Sequence, residues 1–287
     1  MTGASSGLGR AFSVALAQRG AEQVLTGRSE TRLAETCRLV EAAGGAPPRT
    51  VVADLTEADA RRRVVEATAE RFDGRLDLVI QAAGVGAYGR FLSHHPDVLR
   101  RLLDVNFIAV AELARELFPL LRAGRRPAMV IIGSIVARRA LPGRSEYSAS
   151  KHALAAWVDA VRCEWAGAGI HLLLVNPGFT RTSFERHLIV DTAFVKAEHR
   201  RSMTPEQVTR ATLRALDRRR AEITLTASGR LLLMADRLMP ALVRAGLARW
   251  TRRLYAQHQV YDEPAQAPQP ERLSGGSGSP YNQDAGD

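Results

Sequence analysis

The stretch Met129-Val130-Ile131-Ile132 is a continuous apolar run, and Gly133 and Ser134 follow it directly. A second run of the same kind, Leu172-Leu173-Leu174-Val175, occurs later in the chain. Strands that are apolar at every position are typical of a parallel sheet that helices cover on both faces. The two runs therefore predict an α/β protein with a buried parallel sheet.

Short β-branched runs alternate with longer amphipathic runs on both sides of this stretch. Such alternation is the pattern of strand–helix–strand units, in which helices pack on either face of a parallel sheet. The predicted strands are Glu22–Thr26, Thr50–Ala53, Leu76–Gln81, Ala128–Gly133, Ile170–Val175 and Glu222–Leu225. The predicted helices lie near Gly9–Arg19, Glu30–Ala43, Glu57–Phe72, Pro96–Leu121, Glu146–Ala166 and Pro205–Asp217.

Composition limits the class of protein. Of the 287 residues, 46% are hydrophobic and 24% are charged, a globular mixture that excludes wholesale disorder. No apolar run reaches the ~18 residues of a spanning helix, and no signal peptide opens the chain, so we expect a soluble, cytoplasmic protein. Cys37 and Cys163 are too few for a disulfide scaffold, and no histidine pair has metal-ligand context, so we predict no metal.

The net charge of +10 is concentrated near the C-terminal end. Residues 201–260 carry 12 Arg against 4 acidic residues, whereas residues 261–287 carry 1 Arg against 5. A basic surface attracts nucleic acid or an anionic membrane. Because no nucleic-acid motif and no aromatic platform accompany the arginines, we expect no nucleic-acid binding.

The sequence divides into three parts. Residues 1–228 form the predicted α/β domain, residues 229–260 a basic amphipathic helical extension, and residues 261–287 a tail whose composition predicts disorder. In the extension, Pro240 should end one helix and open the next. The extension could lie on an anionic membrane, through residues 229–258, or pack on the core or on a second subunit; we favour packing or dimerisation.

A glycine-rich stretch, Thr2-Gly3-Ala4-Ser5-Ser6-Gly7-Leu8-Gly9, precedes the first predicted helix. Glycines there permit a tight turn and let the backbone approach a pyrophosphate, while the helix N-terminus supplies N–H donors. Such a loop normally follows a central strand. Only Met1 precedes it here, so we expect the first central strand to be missing and the true start to lie upstream.

Tyr147 and Lys151 stand four residues apart in a predicted helix, so they share one face of it. A neighbouring cation lowers the pKa of a phenol, which suits the phenol to proton transfer. All but two of the 40 basic residues are Arg. A Lys at position 151 therefore indicates a role that needs a compact ammonium and that the planar guanidinium of Arg cannot fill. Ser134 ends a predicted strand at the edge where ligands bind in open α/β sheets. Asn106 lies in a helical stretch although Asn is a mediocre helix former.

Together, Asn106, Ser134, Tyr147 and Lys151 resemble the catalytic set of the short-chain dehydrogenase/reductase family in order and approximate spacing. The resemblance covers nearly all of residues 2–228. It implies a doubly wound, Rossmann-like parallel sheet with helices on both faces. The implied activity is hydride transfer between NADP(H) and a carbonyl or secondary alcohol, catalysed by a homo-oligomer. Within the implied set, Ser134 would bind the substrate oxygen, Tyr147 would be the general acid, Lys151 would lower the Tyr147 pKa, and Asn106 would hold a water.

The same resemblance assigns a cofactor site. Asp54 matches the acid that contacts adenine, and Ala82-Ala83-Gly84 stands where relatives have Asn-Ala-Gly. Thr182, after the Asn-Pro-Gly turn, would hold the nicotinamide carboxamide. The full predicted set is Gly3, Ser5, Ser6, Gly7, Leu8, Gly9, Arg28, Asp54, Leu55, Ala82, Ala83, Gly84, Tyr147, Lys151, Pro177, Gly178, Thr180 and Thr182.

Arg28 decides the expected cofactor. An acid after the second strand would bind the ribose 2′-hydroxyl of NAD, whereas this chain has Gly27-Arg28-Ser29 there. Arg28 is thus a candidate partner for the 2′-phosphate of NADP.

The segment from Ser183 to Met203 is where relatives close over substrate. Its residues suit a bulky apolar ketone or alcohol: Phe184, Arg186, His187, Leu188, Ile189, Val190, Phe194, Val195, Arg200 and Arg201. The competing hypothesis is a non-catalytic protein on the same fold that binds a dinucleotide to regulate a partner.

Overall fold

A computed structural model describes residues 1–182, 184, 188–192 and 202–257. The predicted tail at 261–287 lies outside these residues. So do six of the expected substrate-loop residues: Arg186, His187, Phe194, Val195, Arg200 and Arg201.

Strands and helices alternate along the described chain, as predicted. The strands are β1 (Val24–Gly27), β2 (Arg49–Val52), β3 (Leu78–Gln81), β4 (Gly86–Tyr88), β5 (Ala128–Ile132), β6 (His171–Asn176), β7 (Leu188–Asp191) and β8 (Glu222–Thr224). The helices are α1 (Gly7–Ala17), α2 (Glu30–Ala42), α3 (Ala58–Arg71), α4 (Pro96–Leu103), α5 (Ala109–Arg122), α6 (Ser145–Glu164), α7 (Pro205–Asp217), α8 (Ala227–Leu238) and α9 (Pro240–Gln257).

The central sheet has four parallel strands in the order β3-β5-β6-β8. Side chains of a strand alternate between its two faces. In β5, Met129 and Ile131 pack with residues of α3, α5 and α6, whereas Val130 and Ile132 pack with Phe12 of α1 and Leu213 of α7. Helices therefore cover both faces, which explains why the strand is apolar at every position and confirms the predicted α/β fold with parallel strands.

Strands β1 and β2 form a separate parallel pair. Met1 and Thr2 lie between this pair and the central sheet. The amide of Thr26 donates to the Met1 carbonyl at 2.9 Å, and the amide of Thr2 donates to the Ile80 carbonyl at 3.0 Å. Thr2 also forms a parallel bridge with Gln81. Met1 and Thr2 therefore lie where the expected first central strand would run, and neither belongs to one of the eight strands named above.

The predicted helix Pro96–Leu121 is wrong in one respect, because it is interrupted. Between α4 and α5, residues Asp104–Ile108 form a turn of π-helix. The wider turn places Asn106 in the interior, where its side chain forms hydrogen bonds outside the helix. Short π segments inside α-helices are frequent at functional sites.

A third, two-stranded sheet pairs β4 with β7. It was not predicted, because Gly86–Tyr88 is too short to show a periodic pattern. Val85, Ala87 and Tyr88 pack there with Ile189 and Val190 against Tyr147. This sheet therefore forms one wall beside the N-terminal turn of α6.

The basic extension forms two helices, α8 and α9. Pro240 opens α9 and α8 ends at Leu238, as expected from the fixed backbone angle of proline. No residue of α9 is buried. Among the described residues, no helix is long and apolar enough to cross a membrane.

Candidate active site

Ser134 lies directly after β5, at the carboxyl edge of the central sheet. Its side chain accepts a hydrogen bond from the Val136 amide at 3.3 Å and so caps a short 3₁₀ turn, Ile135–Ala137. Its side chain also lies close enough to the Tyr147 hydroxyl to favour the ionised form of that phenol. The structure therefore brings together two groups that were predicted to act on one substrate atom.

Tyr147 lies in the first turn of α6 and is buried. Burial raises the pKa of its hydroxyl and Tyr88 raises it further, whereas the Ser134 side chain and the Arg144 charge lower it without prevailing. The expected lowering of this pKa by Lys151 is wrong for this structure. The physical reason is that the Lys151 ammonium is 6.0 Å from the ring centroid and points elsewhere. The Tyr147 phenol is accordingly protonated at neutral pH.

Lys151 follows one turn later on the same helix. Its Nζ donates to the Ile132 carbonyl at 3.0 Å. Burial lowers the pKa of this ammonium to about 8, because a charge removed from water is less stable. The ammonium lies 3.7 Å from the position that a Cβ on Gly84 would take, so it faces the predicted cofactor loop.

Asn106 is fully buried and its amide is held on three sides. Its Oδ1 accepts from the Val85 amide at 2.9 Å, and its Nδ2 donates to the Val85 carbonyl at 2.9 Å and to the Ser150 Oγ at 3.0 Å. Asn106 Oδ1 would also lie 3.1 Å from a Cβ on Gly84. The residue thus joins the π turn, the start of β4 and the catalytic helix.

The glycine-rich loop turns tightly into α1. Gly3 has a φ of +65° and Gly7 a φ of +52°, values that favour glycine. A Cβ on Gly9 would collide with the Gly3 backbone, so the loop closes only without side chains there. α1 has no acidic residue in its first turn, and its N-cap Ser6 forms no side-chain capping bond. An anion such as a pyrophosphate fits this arrangement, because the first N–H groups of a helix have no partner within it.

The loop Ala82-Ala83-Gly84 packs against the glycine-rich loop. The Thr2 Oγ1 accepts hydrogen bonds from the amides of Ala82 and Ala83, both at 3.1 Å. A Cβ on Gly3 would lie 2.8 Å from the Ala83 nitrogen. Although Ala82 cannot form the hydrogen bond of the usual Asn, Thr2 holds the two backbones together.

The segment after β6 brings the predicted Thr182 to the glycine-rich loop. A Cβ on Gly7 would lie 3.4 Å from the Thr182 Cβ. The turn before it is fixed by the Pro177 carbonyl, which accepts from Ile135 at 3.2 Å, and by Gly178, where a Cβ would meet Thr226. Thr180 bridges to Met203. Thr182 therefore lies against the glycine-rich loop at Gly7.

Arg28 and Asp54 lie at the far side of the loop. Arg28 is exposed just after β1 and forms no ion pair with any residue that the structure describes. Asp54 is already engaged: its carboxylate accepts from Thr56 and, at 2.9 Å, from Arg101. Burial alone would raise the pKa of Asp54, but these bonds outweigh burial and hold the pKa below its ordinary value. Leu55 lies beside it, and its carbonyl accepts from Arg61 at 3.0 Å.

Aromatic residues around Tyr147 were not singled out by the sequence analysis, except Phe184. The Tyr147 ring centroid lies 6.2 Å from that of Tyr88 and 6.1 Å from that of Phe184. The Arg144 guanidinium lies 4.1 Å from the Tyr88 ring centroid. No local sequence signal identifies Tyr88, since it reaches the site through the short strand β4. These rings give the Tyr147 side chain an apolar wall, with the charged Arg144 guanidinium over the Tyr88 ring.

The geometry suits proton transfer to an oxygen that is bound beside a planar cofactor. The Ser134 side chain and the Tyr147 phenol lie close together, and the buried Lys151 ammonium, one turn further along α6, faces Gly84 in the loop that packs on the glycine-rich loop. No group of three potential metal ligands occurs in the part of the chain that the structure describes.

The sequence matches a known family over most of its length. Residues 1–192 match the family described as short chain dehydrogenase. The chain is 31% identical over 232 residues to dehydrogenase/reductase SDR family member 7B of Xenopus tropicalis. The aligned region covers 78% of this chain and 75% of the relative.

Solved structures of similar fold include two with bound cofactor. A short-chain dehydrogenase from Sphingobium yanoikuyae in complex with NADPH is 28% identical, with a TM-score of 0.68 over 95% of this chain and 98% of that one. A short-chain dehydrogenase/reductase from Burkholderia phymatum in complex with NAD is 27% identical, with a TM-score of 0.71 over 83% of this chain and 93% of that one.

Proposed function

Because the chain belongs to the short-chain dehydrogenase/reductase family and is therefore an NAD(P)-dependent oxidoreductase, we propose that it transfers a hydride between NADP(H) and a carbonyl or secondary alcohol. The observation that carries this proposal is the closeness of the Ser134 side chain to the Tyr147 hydroxyl, whose ionised form it favours. It brings an acid and a hydrogen-bond donor to one point, where a substrate oxygen would lie.

The predicted cofactor residues fit a dinucleotide. Gly3, Gly7 and Gly9 leave room for the backbone to approach a pyrophosphate, and Thr182 lies next to Gly7. When bound, NADPH supplies the hydride. We propose that Arg28 binds the 2′-phosphate, since its side chain is exposed and forms no ion pair among the described residues. Asp54 and Leu55 would flank the adenine.

In the reducing direction, Ser134 donates a hydrogen bond to the substrate oxygen as negative charge develops on it. Tyr147 then donates its proton to that oxygen as the general acid. The raised pKa of Tyr147 keeps the proton on the phenol until the oxygen becomes basic enough to take it. Both groups therefore stabilise the same developing charge.

Lys151 and Asn106 support this pair. Lys151, with a pKa of about 8, is still mostly protonated at neutral pH and would hold the nicotinamide ribose. We propose that Lys151 returns a proton to Tyr147 after each turnover. Lys151 would then regain a proton from solvent through a water near Asn106. The closeness of the Lys151 Nζ and the Asn106 Oδ1 to Gly84 supports that path.

The proposed substrate is apolar. The side chains that pack with Tyr147 include Val136, Tyr88, Phe184, Ile189 and Val190, and the Arg144 guanidinium lies over the Tyr88 ring. A hydrocarbon portion next to the carbonyl would bury its surface against this wall, at about 25 cal/mol per Å² of apolar area.

The test is a panel of ketones, aldehydes and secondary alcohols in which oxidation of NADPH or reduction of NADP is read by absorbance. We expect turnover with apolar ketones, and faster turnover with NADPH than with NADH. Tight NADPH binding without turnover across the panel would instead support the regulatory alternative. Preference for NADH would overturn the role of Arg28.

The extension presents a large apolar surface. Six side chains of α8, α9 and the residue between them are 47 to 69% exposed: Leu231, Met234, Leu238, Met239, Leu242 and Trp250. Six arginines accompany them, Arg230, Arg237, Arg244, Arg249, Arg252 and Arg253. The only acid in residues 227–257 is Asp236, which pairs with Arg139 at 3.2 Å.

We propose that this surface contacts an anionic membrane. A second copy docked on it would bring arginine against arginine, whereas each arginine near an anionic bilayer contributes about 1 kcal/mol of attraction. The proposed homo-oligomer would then use another face, and the proposed compartment is the cytoplasm at such a membrane.

Cosedimentation with phosphatidylserine-containing and with pure phosphatidylcholine vesicles tests the contact. We expect binding only to the former, and its loss in Leu238→Glu. If neither vesicle binds and light scattering shows that Leu238→Glu turns an oligomer into a monomer, the surface is a subunit interface.

A further inference from the structure

His94 and Glu146 form a buried pair although they are far apart in sequence. The His94 Nδ1 lies 2.8 Å from the Glu146 Oε1, and the side chains are only 1% and 5% exposed. Ser145 donates to the other carboxylate oxygen of Glu146 at 2.6 Å. Because a carboxylate only accepts, the proton of the first bond lies on the His94 Nδ1.

The pair connects two elements that both contact Tyr147. Glu146 precedes Tyr147 in the first turn of α6. His94 follows the turn after β4, and its Nε2 lies 2.7 Å from the position that a Cβ on Gly89 would take. Gly89 directly follows Tyr88, whose ring packs edge-on against Tyr147. The His94 ring therefore fills the gap between the end of β4 and the start of the catalytic helix.

Stability alone does not account for this pair. A carboxylate is costly to bury, and well-packed apolar side chains in place of a buried ion pair are often at least as stable. Apolar packing does not fix the orientation of its side chains. A hydrogen bond of 2.8 Å, in contrast, fixes both the distance and the angle between His94 and Glu146. The His94 Nε2 is buried and has no hydrogen-bond partner among the described residues, so only the Nδ1 side of the ring is anchored by hydrogen bonding.

We propose that His94 and Glu146 are positioning residues, which hold the N-terminal turn of α6 against β4 so that the Tyr147 hydroxyl points at Ser134. The inference rests on the proposed function for its consequence in catalysis. A displacement of about 1 Å of a catalytic group can cost roughly 100-fold in rate. Loss of the bond should therefore lower kcat without affecting the distant cofactor loop.

Two variants of His94 distinguish the role of its Nδ1 from that of its Nε2. In His94→Asn the amide nitrogen takes the place of Nδ1 and can still donate to Glu146. In His94→Gln the amide takes the place of Nε2, so the bond to Glu146 is lost. His95→Asn is the matched control, because the neighbouring His95 also contacts a carboxylate, Asp97, but at the exposed start of α4.

We expect His94→Gln to lower kcat about 10- to 100-fold per NADPH-binding molecule, with the Kd for NADPH and the KM unchanged. His94→Asn should recover most of the loss, and His95→Asn should match the unmodified protein. Counting only molecules that bind NADPH removes any misfolded fraction. Equal kcat values for Asn and Gln at position 94 would overturn the proposal, since the bond would then be irrelevant.

A second readout does not depend on turnover. The ring resonances of Tyr147 in ¹³C-tyrosine-labelled protein can be assigned by their disappearance in Tyr147→Phe. We expect them to shift in His94→Gln but not in His94→Asn or His95→Asn. Unchanged resonances in His94→Gln would refute the positioning role, even if the unmodified protein proved inactive on every substrate, an outcome that would count against the proposed function alone.

Discussion

Asn106 forms two hydrogen bonds with the backbone of Val85, one as acceptor and one as donor, each 2.9 Å long. One side chain thus satisfies both backbone groups of a buried residue at the entrance to β4. The π turn makes this possible, because it turns Asn106 inward while the helices on either side continue.

The first prediction concerns this contact. Asn106→Ala leaves the buried Val85 amide and carbonyl without their partner, whereas the Ser150 hydroxyl keeps its bond to the Tyr147 carbonyl. Each lost partner costs about 1–3 kcal/mol, so unfolding in urea should show a loss of about 2–6 kcal/mol. Ile108→Ala is the control in the same turn, where the side chain is exposed and little change is expected. Equal stability of the two variants would contradict the structural role of Asn106.

The second prediction concerns Tyr147. Tyr147→Phe removes the proposed proton donor and should lower kcat at least about 100-fold, the usual contribution of a general acid. The Kd for NADPH, measured by fluorescence titration, should stay unchanged. Tyr255→Phe removes a hydroxyl from α9, outside the predicted catalytic set, and should have normal activity. A Tyr147→Phe variant of near-normal rate would exclude Tyr147 as the acid.

The third prediction follows from the lowered pKa of Lys151. In the unfolded chain its pKa is near the ordinary 10.5, whereas in the fold it is about 8. Between these values the unfolded state binds more protons, so this group adds stability as pH rises from about 8 to 10.5 and withholds it below 8. Lys151→Met should therefore be more stable than the unmodified protein at pH 7, by on the order of 1–3 kcal/mol, yet inactive.

Urea unfolding of both proteins at several pH values checks this. The advantage of Lys151→Met should shrink as the pH rises above 8. An advantage that stays constant to pH 10.5 would show that Lys151 is not destabilised by burial.

The fourth prediction concerns cofactor choice. If Arg28 binds the 2′-phosphate as proposed, Arg28→Ala removes a charged hydrogen bond worth about 1.5–3 kcal/mol, so the KM for NADPH should rise roughly 10- to 100-fold. The KM for NADH should change little, because NADH has no 2′-phosphate. Arg38→Ala, an exposed arginine on α2, is the control. Parallel changes with both cofactors would indicate that Arg28 does not read the phosphate.

Much of the fold follows from the sequence because buried parallel strands leave a clear signature. Met129–Ile132 and Leu172–Val175 predict the two central strands, and the helix at Pro205–Asp217 begins and ends as predicted. The π turn is different: Asp104–Ile108 has an ordinary helical pattern, and only the long-range bonds to Val85 and Ser150 show why it widens.

The positions of Ser134 after a strand, and of Tyr147 and Lys151 one turn apart on a helix, were predictable from the apolar run and the helical spacing. The direction of the Tyr147 pKa was not, since it depends on burial by Tyr88 and its neighbours. The pairing of His94 with Glu146 was not predictable either. A Glu in the first turn of a helix is usually exposed, and its charge interacts favourably with the helix dipole there, so no buried partner is expected.

The packing of Gly3 against Ala83 limits which positions can be substituted to change the dinucleotide preference. Not even a methyl group fits at position 3 or position 9 without moving a neighbouring backbone. Randomised libraries should therefore leave both positions unchanged and vary residue 28, whose side chain extends into open solvent.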